Sequence, residues 1–192
     1  MGLALVPMGL DARFRHRTGD ASMPKIEAFT AQGVVSGSIT VPGATRTGFD
    51  TSAALELDRA TWYPIAGGPA ERRPRVHLEP DELLVLCEET ADLPVHSSWH
   101  DVVLAIGPFR VGGTLPTMPG FDPGRALARP GGPFILLRDV RVELVGHPES
   151  GRVERPHALV NRYAVEEVDA DIDLGYFFPG AQLRFAVGHP LA

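Results

Sequence analysis

The sequence predicts an all-β chain with little helix, organised as two related small barrels or sandwiches produced by an internal duplication. Three observations carry this. Several runs alternate apolar and polar residues with period two, as a half-buried strand does. Turn formers are dense, with Gly 21 and Pro 18 in 192 residues, which breaks helices and marks many reversals. Segments also recur at a fixed spacing, the mark of a repeated unit.

The elements follow in order. Residues 1–22 read as an N-terminal extension before Met23-Pro-Lys-Ile, either a floppy tail or, since it holds Leu3, Leu5, Val6, Met8, Leu10 and Phe14, one that docks on another subunit. Val35, Gly37, Ile39 and Val41 alternate as a strand, and Gly37 lets a neighbour approach closely. Residues Thr51 to Ala60 read as one short helix, capped by Asp50 or Thr51. The continuous apolar runs Leu83–Leu86 and Phe134–Leu137 suit strands buried on both faces. Pro123–Arg129 reads as a single helical turn, and Val140 to Leu144 as a strand. In Val168 to Leu174 the aspartates Asp169, Asp171 and Asp173 form the wet face of an edge strand.

The repeat aligns Val35-Ser-Gly-Ser-Ile39 with Val111-Gly-Gly-Thr-Leu115, an offset of 76 positions. Pro42-Gly43 then matches Pro119-Gly120, Leu57 matches Leu127, and Trp62–Ile65 matches Phe134–Leu137. Pro80-Asp-Glu-Leu-Leu-Val matches Pro156-His-Ala-Leu-Val-Asn, again 76 apart. The boundaries that result are 1–22 for the extension, 23–92 for the first β repeat and 93–192 for the second. Ala91 to Ser98 forms the connection.

Phe109-Arg-Val-Gly-Gly-Thr-Leu115, Arg125-Ala-Leu127 and Pro133-Phe-Ile-Leu-Leu-Arg-Asp-Val-Arg-Val-Glu-Leu144 together resemble a class of small uncharacterised bacterial β domains. That class has a strand with a central Gly, a short leucine-bearing segment and a Phe-Ile-x-Leu-x-Asp-like strand. The resemblance implies a β fold and attaches no catalytic residue. The first half departs from it, because Pro64 interrupts the matching strand and no Asp follows Ile65 at the matching place.

Lys+Arg 18 against Asp+Glu 24 gives a net charge of -6, which disfavours nucleic acid and anionic membranes. No run approaches the ~20 apolar residues that span a bilayer. Cys87 is the single cysteine, so neither an intrachain disulfide nor a cysteine-based zinc site can form. The start Met1 to Leu10 lacks a basic leader and is broken by Pro7 and Gly9. A cytoplasmic protein is the expectation.

Candidate chemistry is sparse. His96 and His100 share the spacing of a helical metal pair, but a closed site needs three or four ligands. No metal and no cofactor is expected. The aspartate series misses the Gly and Glu places of a calcium loop. Glu88-Glu89 and Glu166-Glu167 would offer paired carboxylates, and surface strand ends explain them more simply. Cys87 has acidic neighbours and suits a small core residue. No G-x-S-x-G elbow and no phosphate loop is present. Tyr176, Phe177 and Phe178 lie between turn residues and suit either an exposed partner anchor or a core plug. Two functions follow as expectations. The first is a non-catalytic protein-binding or assembly module that contacts a partner or itself through strand edges and the Tyr176-Phe177-Phe178 loop. The second is a small-molecule-binding protein or hydrolytic enzyme with a polar site between the repeats.

Overall fold

The computed structural model describes residues 25–39, 54–88, 97–120, 132–147 and 151–185. All regular structure among them is strand: β1 Lys25–Phe29, β2 Gly33–Ile39, β3 Leu55–Pro64, β4 Glu71–Leu78, β5 Val85–Glu88, β6 Ser98–Ile106, β7 Phe109–Thr117, β8 Phe134–Leu144, β9 Arg152–Asn161, β10 Val165–Ala170 and β11 Gln182–Phe185. The expected helix over Thr51 to Ala60 is corrected by β3. Leu55 and Leu57 are buried while Glu56 is exposed, and pairing with β2 and β4 overrides the helix propensity of Ala, Leu and Glu. The expected turn at Pro123–Arg129 and the extension 1–22 lie outside the described residues.

The strands do not close into two barrels. They form one open sheet in the order β11-β10-β6-β7-β8-β9-β5-β1-β2-β3-β4. Every neighbouring pair is antiparallel except β10 with β11. The order contains the same path twice. Strands β1 to β5 lie as β5-β1-β2-β3-β4, and β6 to β10 lie as β10-β6-β7-β8-β9. The two sets join where β5 pairs with β9, at Val85↔Val160, Leu86↔Leu159 and Cys87↔Ala158.

Like positions in the two sets share local geometry. The β2–β3 ladder shifts register between Ser36 and Ser38, and the β7–β8 ladder between Gly112 and Thr114. Gly37 and Gly113 therefore each sit at a bulge. A Cβ on Gly37 would meet Leu57 Cβ at 2.9 Å, and one on Gly113 would meet the Arg138 carbonyl at 3.0 Å. Next to each bulge is a non-glycine residue in the left-handed region, Arg59 with φ 50° and Asp139 with φ 54°. Across from these stand Pro74 on β4 and Pro156 on β9, each flanked by paired residues. Inward facing changes parity there. Leu55 and Leu57 enter the core before Arg59, and Ala60 after it; Ile135 and Leu137 enter before Asp139, and Val140 and Val142 after it.

These registers place Leu57 with Leu137, and Pro74 with Pro156. They differ from the pairing expected from sequence, which set Leu57 against Leu127, Trp62 against Phe134 and Pro80 against Pro156. The spacing is 76 positions between Gly37 and Gly113 and 80 between Arg59 and Asp139.

Two apolar cores result. One gathers Ile26, Ala28, Val35, Leu57, Leu83 and Leu86. The other gathers Phe29, Val85, Cys87, Leu104, Val111 and Leu137 among others. Successive residues of a strand face opposite sides. Leu86 in one core with Val85 and Cys87 in the other therefore puts β5 between the two. This is why its sequence reads as an unbroken apolar run. Burying each such side chain stabilises by about 1.5–3 kcal/mol, so the β5·β9 joint is a structural seam and not a loose contact. Phe29 and Phe109 meet edge-to-face across it, with centroids 5.4 Å apart.

Candidate functional site

Three polar or aromatic groups and two strand edges stand out among the described residues. The first group spans the seam. Arg155 on β9 donates from Nε to Glu27 Oε2 at 2.8 Å and from Nη2 to Glu27 Oε1 at 2.7 Å. This fork-to-fork pair joins residues 128 positions apart, and no sequence pattern signals it. Glu27 is mostly buried. Cys87 lies beside the pair and is fully enclosed. Burial pushes its thiol up from the ordinary value; Glu27 adds to that shift and Arg155 opposes it. A protonated, enclosed thiol is no nucleophile. Burial likewise raises the Glu88 carboxyl; Glu89 lies outside the described residues. Acid and base in the seam are already engaged with each other.

The second group surrounds His100 on β6. Its Nε2 is 3.1 Å from the Thr117 hydroxyl, and its Nδ1 is 3.5 Å from Asp171 Oδ1. The line of hydroxyl, imidazole and carboxylate resembles a nucleophile–base arrangement. Thr117 is only 4% exposed, however, and its Oγ1 also lies 3.5 Å from the Ser98 carbonyl. The line clasps β6, β7 and the residue after β10 together. Next to it the Arg138 guanidinium stacks on Trp99, 3.9 Å from the ring centroid. His96 lies outside the described residues, so the spacing of the His96–His100 pair is not on the structure. Among the described residues no three His, Cys, Asp or Glu side chains gather as a metal set.

The third group is the aromatic loop after β10. Phe178 is fully buried and Phe177 nearly so, both within the core bounded by β6 to β10. Tyr176 packs against that core and meets Phe177 edge-to-face at 5.4 Å. Backbone bonds from Phe177 N and Phe178 N to the Leu174 carbonyl close the turn. The buried Arg162 donates from Nη2 to the Tyr176 carbonyl at 3.0 Å. Of the two roles that three aromatics between turn residues allow, the plug describes where Phe177 and Phe178 sit. Nothing in the sequence marks Arg162 as the buried residue that holds the loop.

The aspartate series divides in the same way. Asp169 is exposed on β10 between buried Val168 and Ala170, as alternation requires. β10 is not an edge, because β11 pairs with its outer side. Asp173 Oδ1 accepts from Gly175 N at 2.9 Å and shapes a turn.

Among the described residues the edges of the sheet are β4 and β11. Along β4, Glu71, Arg72, Arg73, Pro74 and Arg75 are exposed, then Val76 and Leu78 turn inward around exposed His77. The charges and the proline blunt the first part of this edge. Arg75 is held by Asp58 at 2.8 Å, and Arg73 by Glu71 at 2.8 Å. His77 contacts Glu79 at 2.9 Å; that hydrogen bond raises its proton affinity. The segment Val76–Leu78 carries no proline and, among the described residues, pairs with β3 alone. On β9 the like segment, Ala158 to Val160, has β8 on one side and β5 on the other.

No helix among the described residues is long and apolar enough to cross a membrane. Comparison of the chain with protein-family models, with curated proteins and with solved structures finds no match.

Proposed function

We propose that this chain is a non-catalytic protein-binding or assembly module, built by duplication of a five-stranded unit and working through its strand edges. One observation carries the reading. The Val76–Leu78 segment of β4 has an unpaired outer side among the described residues, while its counterpart on β9 takes a neighbouring strand. An extended segment that adds to β4 would repeat a contact the fold already makes once. The shared strand order, the matching bulges at Gly37 and Gly113 and the Pro74–Pro156 correspondence support duplication as the origin of the unit. The polar groups that would serve a hydrolase or a small-molecule site are paired with each other instead: Glu27 with Arg155, and His100 with Thr117 and Asp171. In this reading the Tyr176-Phe177-Phe178 loop supports the contact from inside, as the plug that braces the β10 side of the sheet. Cytoplasmic residence belongs to the same reading, with a single thiol held reduced and enclosed.

The test is capture with the tagged full chain, beside the variant His77→Lys. Lysine places a cation next to Glu79 and Glu56, and blocks strand addition at an edge. The reading predicts that wild type retains a partner protein, and that H77K retains at least tenfold less with an unchanged melting curve. Equal retention by both proteins, or a monomer that retains nothing, would reject the reading.

A further inference from the structure

We propose that β11 is a removable cap, and that the β10 edge it covers takes the β4 edge of a second copy of this chain once it leaves. The inference rests on the edge-binding reading and names its partner and its control.

Val35 and Val111 hold like places, so Ala28 and Leu104, their partners on β1 and β6, correspond. Ala28 pairs with Leu86, and Leu104 pairs with Val168. Hence Val85, Leu86 and Cys87 on β5 answer to Glu167, Val168 and Asp169 on β10. On β5 these three residues receive β9. On β10 the same three receive Gln182, Leu183 and Arg184 of β11. β11 therefore occupies the place that, in the first unit, is the joint to the next unit.

Two features mark β11 as a stopper and not another repeat of the joint. It runs parallel to β10, whereas β9 runs antiparallel to β5. Among the described residues it is also tied by few groups. Arg184 Nη2 reaches Glu167 Oε1 at 2.7 Å, on a guanidinium 66% exposed, and Leu183 leans on Gly175 at the rim of the core. An exposed ion pair of this kind adds little. β10 itself carries Glu167 and Asp169 where β5 carries Val85 and Cys87. Those carboxylates face water now and would face the apolar side chains of Val76 and Leu78 in a joint. Repeat arrays end in units whose outer face is polar, for the same reason.

Carried over residue by residue, the joint between copies would set Glu167, Val168 and Asp169 of one copy against Leu78, His77 and Val76 of the next. It uses different surfaces on the two copies, so it is head-to-tail and does not close on itself. Each added copy again offers a β4 edge.

The experiment uses the full chain with Leu183→Pro and Arg184→Glu, which lifts β11 from β10. Mass by light scattering is followed across a wide concentration range, with circular dichroism on the same samples. Wild type is expected to hold one mass. L183P/R184E is expected to grow past dimer as concentration rises. Adding H77K should weaken that growth at least tenfold, and adding Asp169→Val should strengthen it about as much by removing a carboxylate from the joint. Because Leu183 touches the core, R184E alone is run in parallel and keeps that contact. Hydrogen exchange at residues 182–185 then reports whether β11 has opened. Fast exchange there in a folded chain that stays monomeric would overturn the proposal, as would growth that H77K does not weaken. If L183P/R184E stays monomeric while wild type still captures another protein in an H77K-sensitive way, the cap inference falls and the edge-binding reading stands. If H77K changes neither, both fall.

Discussion

Gly112 and Gly113 are neighbours in β7, and the fold gives them opposite tolerances. A Cβ on Gly113 would stand 3.0 Å from the Arg138 carbonyl oxygen and 3.5 Å from Leu137 Cβ and Val140 Cγ2. Two of these are rigid parts of β8, so the strand itself must move. Overpacking of this kind costs about 1–3 kcal/mol. The alanine also stiffens the unfolded chain, which returns about 0.4–1 kcal/mol. The net expectation for Gly113→Ala is a loss of up to about 2.6 kcal/mol, or a fall in melting temperature of up to about 10 °C in a chain of this size. At Gly112 the nearest atom is the Val102 carbonyl at 4.0 Å, and φ is not positive. Gly112→Ala keeps only the unfolded-state gain and should stabilise by about 0.4–1 kcal/mol. Gly37→Ala, with Leu57 Cβ at 2.9 Å and the Asp58 carbonyl at 3.2 Å, should resemble Gly113→Ala and not Gly112→Ala. Urea melts of the three variants decide this through the midpoint at constant slope. Equal shifts for Gly112→Ala and Gly113→Ala would refute the bulge geometry and with it the matching of the two units.

Three further outcomes follow from the same structure. Phe177→Ala and Phe178→Ala remove buried rings, so each should cost about 3–5 kcal/mol of stability; thermal melts with little change would place the loop outside the core. A double-mutant cycle on Glu27→Ala and Arg155→Ala should return a coupling of about 1–2 kcal/mol, held below the buried-pair range because Arg155 is 30% exposed; zero coupling in urea melts would show that the seam stands on apolar packing alone. Cys87 keeps its proton in the folded chain at pH values where the unfolded chain loses it. Its contribution is therefore complete below the unfolded value near 8.5 and declines as pH rises above it, by up to about 1.4 kcal/mol per unit. Urea melts at rising alkaline pH should show this decline in wild type and lack that component in Cys87→Ala.

What the sequence discloses depends on which interactions leave a local pattern. Alternation at Val35 to Ile39 and Val140 to Leu144 reports one buried face, and the unbroken runs Leu83–Leu86 and Phe134–Leu137 report burial on two. Gly37 and Gly113 stand out because a bulge beside a crowded partner strand admits no Cβ. The segment Thr51 to Ala60 misleads, since Ala, Leu and Glu favour helix locally and only the flanking strands β2 and β4 make Leu55–Pro64 extended. Closure is not written locally at all: whether five strands curl into a barrel or continue into a neighbour turns on β5 meeting β9, residues more than seventy positions apart. The same holds for the Arg155–Glu27 fork and for the Thr117 clasp on His100. The His96–His100 pair is easy to notice in sequence, whereas the edge segment Val76–Leu78 is visible only once the order of strands is known.

The central claim is that contact occurs at the outer side of β4, and backbone hydrogen exchange of the full chain, free and in its captured complex, tests it most directly. The account predicts that the amides of Val76, His77 and Leu78 exchange at least tenfold more slowly in the complex, while those of β5 and β9 at the seam stay as slow as in the free chain. Unchanged exchange at 76–78, with new protection confined to the surroundings of His100 or of Glu27 and Arg155, would contradict it and move the site to a polar cluster.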